Sequence, residues 1–276
     1  MLALIDADSI VYIIAWNFKE GGTREEVEAS CDVYLRDILT VTRATHYLGV
    51  FSPPSECNFR STTYKYARYK GKRGEKPEFY LKWKDTIENY FKEKYSFVVD
   101  PDLEADDIVA AMAYENFVAG KGSDYIICSP DKDLNQIPGL HYDYRSKTDP
   151  GTQENSGTIM ITDPDAHWNF WTQMLTGDET DNVAGVPGLG PVKVRKIIDE
   201  LKADGNMIST RKTVEACYIK YFGEYYGPLI FTETEQTLRL MSILHPMYPK
   251  YEKIWSIYTS TIRPVPVHKG FFDITS

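Results

Sequence analysis

The sequence predicts an α/β fold with a mainly parallel central sheet and flanking helices. Five short runs of apolar, β-branched and aromatic residues, each followed by polar or turn residues, have the composition of strands. These runs lie at about residues 2–5, 47–51, 96–99, 125–128 and 140–144. Helical patterns lie between them, at about residues 24–43, 77–94 and 103–119. Strands that alternate with helices form βαβ crossovers, and such crossovers produce a parallel sheet.

The two ends of the chain suggest how it is organised. The first apolar run has no basic leader and is broken by Asp6 and Asp8, so it predicts a first strand and not a signal peptide. Toward the C-terminus the pattern becomes mostly helical, with no further convincing strand. We therefore expect a core at 1–163 followed by a helical region at 164–276. The polar, turn-rich residues 148–158 predict an exposed loop or hairpin.

Composition and charge limit the possible functions. Hydrophobic residues make up 42% of the 276 residues and charged residues 26%, as in soluble globular proteins. No apolar run approaches the roughly 20 residues that a membrane span needs. The four cysteines lack CxxC spacing, which favours a reduced cytosolic setting over a zinc or disulfide framework. A net charge of -9 argues against a nucleic-acid partner, unless the acids gather in one place and hold cations.

Acidic residues follow the ends of the predicted strands. Because the carboxyl ends of parallel strands share one edge of a sheet, we expect these acids to lie close together. They are Asp6 and Asp8 after the first strand, Glu104, Asp106 and Asp107 after the third, Asp131 and Asp133 after the fourth, and Asp178 and Asp181 further along. Each group alone is also a common helix start or turn. A joint cluster of like charges, however, is strongly unfavourable unless cations neutralise it.

The chemistry of these acids indicates hard divalent cations. Carboxylate oxygens without nearby cysteine or histidine ligands suit Mg²⁺ or Mn²⁺. Two such ions roughly 4 Å apart form a phosphoryl-transfer site. No Ser-His-Asp, Cys-His or Walker-type pattern competes, since GVPGLG is too short for a phosphate loop.

Residues 60–76, RSTTYKYARYKGKRGEK, form a basic segment with seven cations, one acid and three tyrosines. One interpretation is a solvated surface loop. The other is a segment that grips a nucleic-acid strand, because Lys and Arg neutralise phosphates while tyrosines stack on bases. The candidate contacts are Arg60, Tyr64, Lys65, Tyr66, Arg68, Tyr69 and Lys72.

A second basic group follows the last pair of acids, in GDETDNVAGVPGLGPVKVRK. Glycines allow backbone N–H groups to approach phosphates closely, and the cations that follow add charge contacts. The candidate residues are Gly185, Gly188, Gly190, Lys193, Arg195 and Lys196.

Taken together, these motifs resemble the 5′-nucleases: flap endonucleases, bacteriophage 5′ to 3′ exonucleases and the nuclease domain of bacterial repair polymerases. The motifs that carry the resemblance are LIDADS, LEADD, SPDKDL and GDETDNVAGVPGLGP, within about residues 1–200. The resemblance implies a PIN-like core, a basic arch segment at 52–76 and a helix-three-turn-helix element at about 175–202. That element is similar to a hairpin that binds duplexes without sequence preference and often holds K⁺.

The resemblance also implies roles for individual residues. Lys70 and Arg73, in YKGKR, resemble the basic motif of the arch and are expected to act in catalysis by steadying the scissile phosphate. One metal ion or its waters would be held by Asp6, Glu104, Asp106 and Asp107. The second ion would be served by Asp131, Asp133, Asp178 and Asp181.

The implied function is a structure-dependent 5′ to 3′ exonuclease or flap endonuclease that hydrolyses DNA phosphodiester bonds with two Mg²⁺ or Mn²⁺ ions. The expected partner is duplex DNA with a 5′ end or flap, or an RNA–DNA hybrid, bound by a monomer in the cytoplasm, which would be the host's for a phage enzyme. Two alternatives stay open: a PIN-type ribonuclease, and a catalytically weakened relative that only binds nucleic acid.

The sequence departs from the family pattern at one position. Family members carry an aspartate just after the second strand, whereas this chain has Ser52, Pro53, Pro54 and Ser55 there. Glu56 is the nearest acid. A metal ligand is therefore expected to be replaced or missing, and the arch segment is short.

Overall fold

A computed structural model confirms the predicted α/β architecture and describes residues 1–122, 124–145 and 157–266. In chain order the strands are β1 (Leu2–Asp6), β2 (His46–Phe51), β3 (Val98–Val99), β4 (Tyr125–Cys128), β5 (Gly139–Tyr142), β6 (Thr158–Ile161), β7 (Gly177–Asp178), β8 (Val183–Ala184) and β9 (Arg263–Pro264). The helices are α1 (Asp8–Asn17), α2 (Arg24–Val41), α3 (Arg60–Thr63), α4 (Glu78–Tyr95), α5 (Ala105–Val118), α6 (Asp163–Thr176), α7 (Pro191–Asp204), α8 (Met207–Leu238) and α9 (Tyr248–Tyr258). Short 3-10 turns lie at Ser55–Cys57, Lys132–Gln136 and Thr259–Thr261.

The central sheet has the strand order β3-β2-β1-β4-β5-β6. Its neighbouring strands are parallel except for β5 and β6, and β9 adds an antiparallel pairing to β2. β1 lies at the centre, where Ile5 pairs with Gly49 of β2 and with Cys128 of β4. β1 and β4 are buried, and both are accordingly continuous apolar runs in the sequence.

Helices cover both faces of this sheet. On one face, α1, α2 and α4 bury Ile10, Leu35 and Ile87 in a shared core. On the other face, α5 and α9 bury Ile108 and Ile254. The central part of the sheet is therefore enclosed on both faces.

All five predicted strands and all three predicted helices are present, with ends within two residues of the prediction. The pattern does not predict α1, because SIVYIIAW is apolar at nearly every position and shows neither alternation nor a helical stripe. It also misses β6, whose Ile159 and Met160 are exposed at the sheet edge. The predicted loop or hairpin at 148–158 lies outside the described residues up to residue 156.

The chain returns to the sheet after the helical region, which begins with α6 at Asp163. Leu240, Met241 and Tyr251 are buried in the same cluster as α5, and β9 pairs with β2. The Tyr258 hydroxyl donates a hydrogen bond to Asp100 Oδ2 at 2.8 Å. The C-terminal segment therefore belongs to the sheet domain. The expectation of no further strand is wrong, because β7, β8 and β9 follow residue 163.

Helix α8 is a hairpin of two arms. Gly223 has φ 85° and ψ 166°, outside the helical region, and separates arm 207–222 from arm 224–238. The arms pack against each other, with the rings of Tyr218 and Phe231 5.5 Å apart. Among the described helices, α8 included, none combines the length and apolar character needed to cross a membrane.

A buried arginine joins three of these elements. Arg60, the first residue of α3, donates to the two carboxylate oxygens of Asp107 at 2.5 and 2.8 Å and to Glu104 at 3.2 Å. Its Nε donates to the backbone carbonyl of Thr237 at 2.6 Å. Because these partners belong to α5 and α8, a single buried cation holds the basic segment against the sheet domain and the hairpin.

We predict that Arg60→Met lowers the free energy of unfolding by about 3–5 kcal/mol, because it leaves the buried carboxylate of Asp107 without its partner. Urea denaturation followed by circular dichroism measures the loss. The double variant Arg60→Met/Asp107→Leu should recover most of it, since both charges are then gone. Arg68→Met, at an exposed position of the same segment, is the control and should stay within about 0.5 kcal/mol. Wild-type stability of Arg60→Met would contradict this role.

Candidate active site

The ends of β1 and β4 bring the first carboxylates together. Asp6 ends β1, and the hydroxyl of Ser129, just after β4, donates to its Oδ2 at 2.9 Å. The Ser129 oxygen in turn accepts the backbone N–H of Asp131 at 3.0 Å. Asp133 follows, and its N–H donates to Asp131 Oδ1 at 2.8 Å. Parallel pairing of two central strands thus places three acids at one edge.

Tyr69 links the remaining acids. Its hydroxyl lies 2.8 Å from Glu104 Oε2, at the start of α5, and 2.7 Å from Asp181 Oδ2, in the loop after α6. The N–H of Asp181 donates to Asp178 Oδ1 at 3.0 Å, which ties the last two acids to each other. Segments far apart in the chain therefore meet around one buried hydroxyl.

Besides Arg60, three cations pair with part of this cluster. Lys70 forms an ion pair with Glu104, Arg73 with Asp181, and Lys132 with Asp178 at 3.2 Å. Lys70 has φ 54°, and its N–H donates to the carbonyl of Asp181 at 2.8 Å, so the backbone as well as the side chain is held at the acids.

These cations decide the protonation of their partners. Burial alone would raise the pKa of Glu104, but Arg60 and Lys70 outweigh it, and the pKa is lowered. The pKa of Asp178 is also lowered, because the N–H of Asp181 and the charge of Lys132 outweigh desolvation. Both carboxyl groups are therefore held as anions.

Several other carboxyl groups of the cluster have raised pKa values. Burial and the charges of Asp8 and Asp131 raise the pKa of Asp6 to about 8. Desolvation and the charges of Asp131 and Asp178 raise the pKa of Asp133 to about 7. Desolvation is also the largest cause that raises the pKa of Asp8, Asp106 and Asp131. These buried carboxyl groups therefore take up protons more readily than free ones do.

The donor chemistry of this part of the cluster fits hard divalent cations, since carboxylate oxygens surround it and their repulsion favours an added positive charge. Within the described ranges, however, no group of three or more His, Cys, Asp or Glu side chains is arranged so that it could hold a metal ion. Glu104, Asp178 and Asp181 direct oxygens toward protein cations instead. Binding of two ions would require some of these ion pairs to open.

The predicted roles of Asp107 and Arg60 are corrected by their burial. Asp107 is fully buried and both its oxygens accept hydrogen bonds from Arg60, so no oxygen faces the cluster. Arg60 is buried as well and is not available to a DNA backbone. This ion pair stabilises the structure around the site and does not contact a metal or a substrate.

The tyrosines of the basic segment also differ from the prediction. Tyr64 is buried, and its hydroxyl oxygen accepts the N–H of Ala184 at 2.8 Å. Tyr69 is buried among the acids. Neither ring is free to stack on a base, because a buried aromatic ring has no open face. The remaining candidates are exposed: Lys65, Tyr66, Arg68 and Lys72.

The turn between α6 and α7 places the second basic group on the surface. Gly185 has a packing role, since a Cβ there would lie 2.3 Å from the carbonyl carbon of Thr176. Gly188 has φ 80°, and Gly190 precedes Pro191 at the start of α7; both have open space at the Cβ position. Lys193, Arg195 and Lys196 follow on the first turns of α7, and the last two are 86% and 79% exposed.

Two residues at the site have no assigned role in the sequence prediction. Asp8 follows β1, and its Oδ1 accepts the backbone N–H of Ser52 at 2.9 Å. Ser52 directly follows β2, and its Oγ accepts the N–H of Ala105 at 2.9 Å. Glu56, the nearest acid in sequence, is exposed on the 3-10 turn. The spacing of Asp6 and Asp8 at the end of one strand is the signal that could have assigned Asp8.

Comparison with known proteins identifies the family of this chain. The family described as 5′–3′ exonuclease, N-terminal resolvase-like domain, matches residues 1–156. DNA polymerase I of Rhizobium leguminosarum is 36% identical over 106 residues, which are 36% of this chain and 9% of the polymerase. Flap endonuclease Xni of Colwellia psychrerythraea is 29% identical over 179 residues, 62% of this chain and 58% of that protein. The chain therefore corresponds to only part of the length of these two relatives.

Solved structures of bacteriophage T5 proteins share the fold. A T5 protein co-crystallised with metal ions superposes with a TM-score of 0.61 at 16% identity, covering 94% of this chain and 98% of that chain. A T5 flap endonuclease in a pseudo-enzyme–product complex with DNA and metal ions gives the same TM-score and coverage. Because the family match spans more than half of the sequence, this chain belongs to the 5′–3′ exonuclease family.

Proposed function

We propose that this protein is a metal-dependent 5′-nuclease that hydrolyses DNA phosphodiester bonds near a 5′ end or flap. The observation that carries the proposal is the convergence of carboxylates from four segments beside Lys70 and Arg73, in a chain of the 5′–3′ exonuclease family. Two members of that similarity group, Xni and the T5 enzyme, are named as flap endonucleases.

Two groups of acids would hold the metal ions. One group is Asp6, Asp8, Glu104 and Asp106, and the other is Asp131, Asp133, Asp178 and Asp181. When bound, Mg²⁺ or Mn²⁺ would activate water and stabilise the leaving oxygen. Asp107 is left out of the first group because Arg60 occupies both its oxygens.

The cations at the cluster would exchange partners during binding. Lys70 and Arg73 neutralise Glu104 and Asp181 in the structure. A phosphate that enters the site offers them a new anionic partner, so they can bind it and stabilise the charge that develops on its oxygens. Tyr69 stays between the two acids and keeps the segment in position.

We further propose that α6, the turn at 177–190 and α7 form a helix-three-turn-helix element that binds the duplex. The support is the exposed basic start of α7 and the left-handed backbone of Gly188. The basic segment, within the proposed arch region 52–76, would guide the strand that is cut. The acids of the sheet domain would then cleave the DNA strand that these two elements hold in place.

Replacing Asp131 by Asn should reduce cleavage of a 5′-flapped duplex in Mg²⁺ by more than the roughly 10–100-fold cost of changes outside the metal's own ligands. The amide keeps the size of the side chain and can still accept the N–H of Asp133, but it removes one negative charge from the cluster. Asp131→Asn should still bind the flapped duplex in Ca²⁺. Asp37→Asn, at an exposed acid of α2, is the matched control. Wild-type cleavage by Asp131→Asn would show that the acids are assigned wrongly.

Divalent ions should raise the thermal stability of the protein in the absence of DNA. An ion that binds only the folded state adds about 2.7 kcal/mol at 100 times its Kd, and this should appear as a higher Tm in calorimetry with Mg²⁺ or Mn²⁺ than with NaCl of equal ionic strength. Asp6→Asn should lose most of this gain, because it removes a central carboxylate. If the wild-type Tm is the same in both salts, the acids do not form a metal site.

Lys193→Ala should weaken duplex binding for all sequences and lower the slope of log K against log salt by about 0.9, the value for one lost phosphate contact. Lys196→Ala should act in the same way, since both lysines belong to the first turns of α7. Lys202, in the last turn of the same helix, lies 6.0 Å from the Trp168 ring and provides the control substitution. An unchanged slope for both test variants would exclude the proposed duplex contact.

A further inference from the structure

The tip of the α8 hairpin exposes a group of tyrosines. Tyr221, Tyr225 and Tyr226 are 55%, 74% and 61% exposed. Tyr221 precedes the turn at Gly223, and Tyr225 and Tyr226 follow it with their rings 5.0 Å apart. Gly227 comes so close to the opposite arm that a Cβ would lie 2.5 Å from Ile219 Cα. Three large rings in solvent at the end of a tightly packed hairpin are not needed for the core.

The basic segment continues this surface. The ring of Tyr66, 47% exposed, lies 5.6 Å from the ring of Phe222, which follows Tyr221. The segment is fixed there, because the N–H groups of Lys65 and Tyr66 donate to Glu233 Oε2 at 2.9 and 3.0 Å. We name Tyr66, Tyr221, Tyr225 and Tyr226 the tyrosine surface.

Cations border the tyrosine surface. Lys65, Arg68 and Lys220 are exposed beside it, whereas Glu224 is the exposed acid at the tip. Glu233, which accepts two backbone N–H groups, is a second acid beside the surface, so three cations stand against two acids. In a chain of net charge -9, such a local excess of positive charge favours an anionic partner.

We propose that the tyrosine surface binds unpaired bases of single-stranded nucleic acid by stacking, while the neighbouring cations contact its phosphates. Aromatic rings beside basic residues are the general means of holding single strands without sequence preference. Protein interfaces also use tyrosine, but charged residues are depleted at their centres, which does not match this border of cations. The inference rests on the proposed nuclease function, for which this surface would hold the single-stranded part of the substrate.

The position of the surface relative to the acids supports this role. Tyr66 and Lys70 are separated by four residues, so their backbones are at most about 14 Å apart. Lys70 pairs with Glu104 at the cluster. A strand bound beside Tyr66 would therefore reach the proposed cleavage site within a few nucleotides.

Fluorescence anisotropy in Ca²⁺ with a duplex that carries a six-nucleotide 5′ single-stranded tail tests the inference. The variant Tyr225→Ala/Tyr226→Ala should bind this DNA about fivefold or more weakly than wild type, as expected for the loss of stacking on at least one base. Tyr225→Phe/Tyr226→Phe keeps the rings and should bind as wild type does. With a tail of abasic sugar-phosphates, wild type and the alanine variant should bind equally, because no base is left to stack.

Three results would overturn the inference. The alanine variant could bind the normal tail as tightly as wild type, or it could lose the same affinity on the abasic tail. Alternatively, sedimentation could show a wild-type dimer that the alanine substitutions dissociate, which would make the surface a contact between two copies of the chain. Cleavage of the flapped duplex by wild type in Mg²⁺ is measured separately. If wild type cleaves but the alanine substitutions leave the affinity for the tail unchanged, this inference alone is refuted. If wild type does not cleave, the nuclease function is refuted.

Discussion

The buried ion pair of Arg60 with Asp107 is the interaction on which the site depends. A charge removed from water is tolerated only with a partner of good geometry, and the two parallel hydrogen bonds at 2.5 and 2.8 Å supply it. The same guanidinium also reaches Glu104 and the carbonyl of Thr237. Through one side chain, the start of α5, the basic segment and the hairpin are therefore fixed relative to each other, although they are far apart in the chain.

Electrostatic balance explains why so many acids can share one edge of the sheet. Glu104, Asp178 and Asp181 are neutralised by Lys70, Lys132 and Arg73. Burial raises the pKa values of Asp6, Asp131 and Asp133, so these carboxyl groups take up protons more readily than free ones do. The cluster can thus form without divalent cations. Under the proposed function, its lysine and arginine side chains would become available to a phosphate once such ions replaced them at the carboxylates. Stability without metal and activity with metal would use the same side chains.

The sequence could predict whatever follows from local patterns and strand direction. The parallel sheet and the gathering of acids after β1 and β4 are of this kind. Which residues of a motif are buried cannot be predicted in this way. Asp107 follows Asp106 by one residue, which turns it by about 100° around the helix and into the interior. Arg60, Tyr64 and Tyr69 have the composition of nucleic-acid contacts, but packing against α5, β8 and the acids buries them. The return of α9 and β9 to the sheet depends on pairing between distant residues, which no local pattern reveals.

The basic segment is the physical link between the carboxylates and the hairpin. It is held at one end by Arg60, at the hairpin by the N–H groups of Lys65 and Tyr66, and at the acids by Lys70 and Arg73. A loop restrained at three places loses little further conformational freedom when a strand binds, so less binding energy is spent on ordering it. Its cations and its exposed ring would then meet the phosphates and bases at a fixed distance from the acids. The site of cleavage along a strand would follow from the fold and not from the sequence of the DNA.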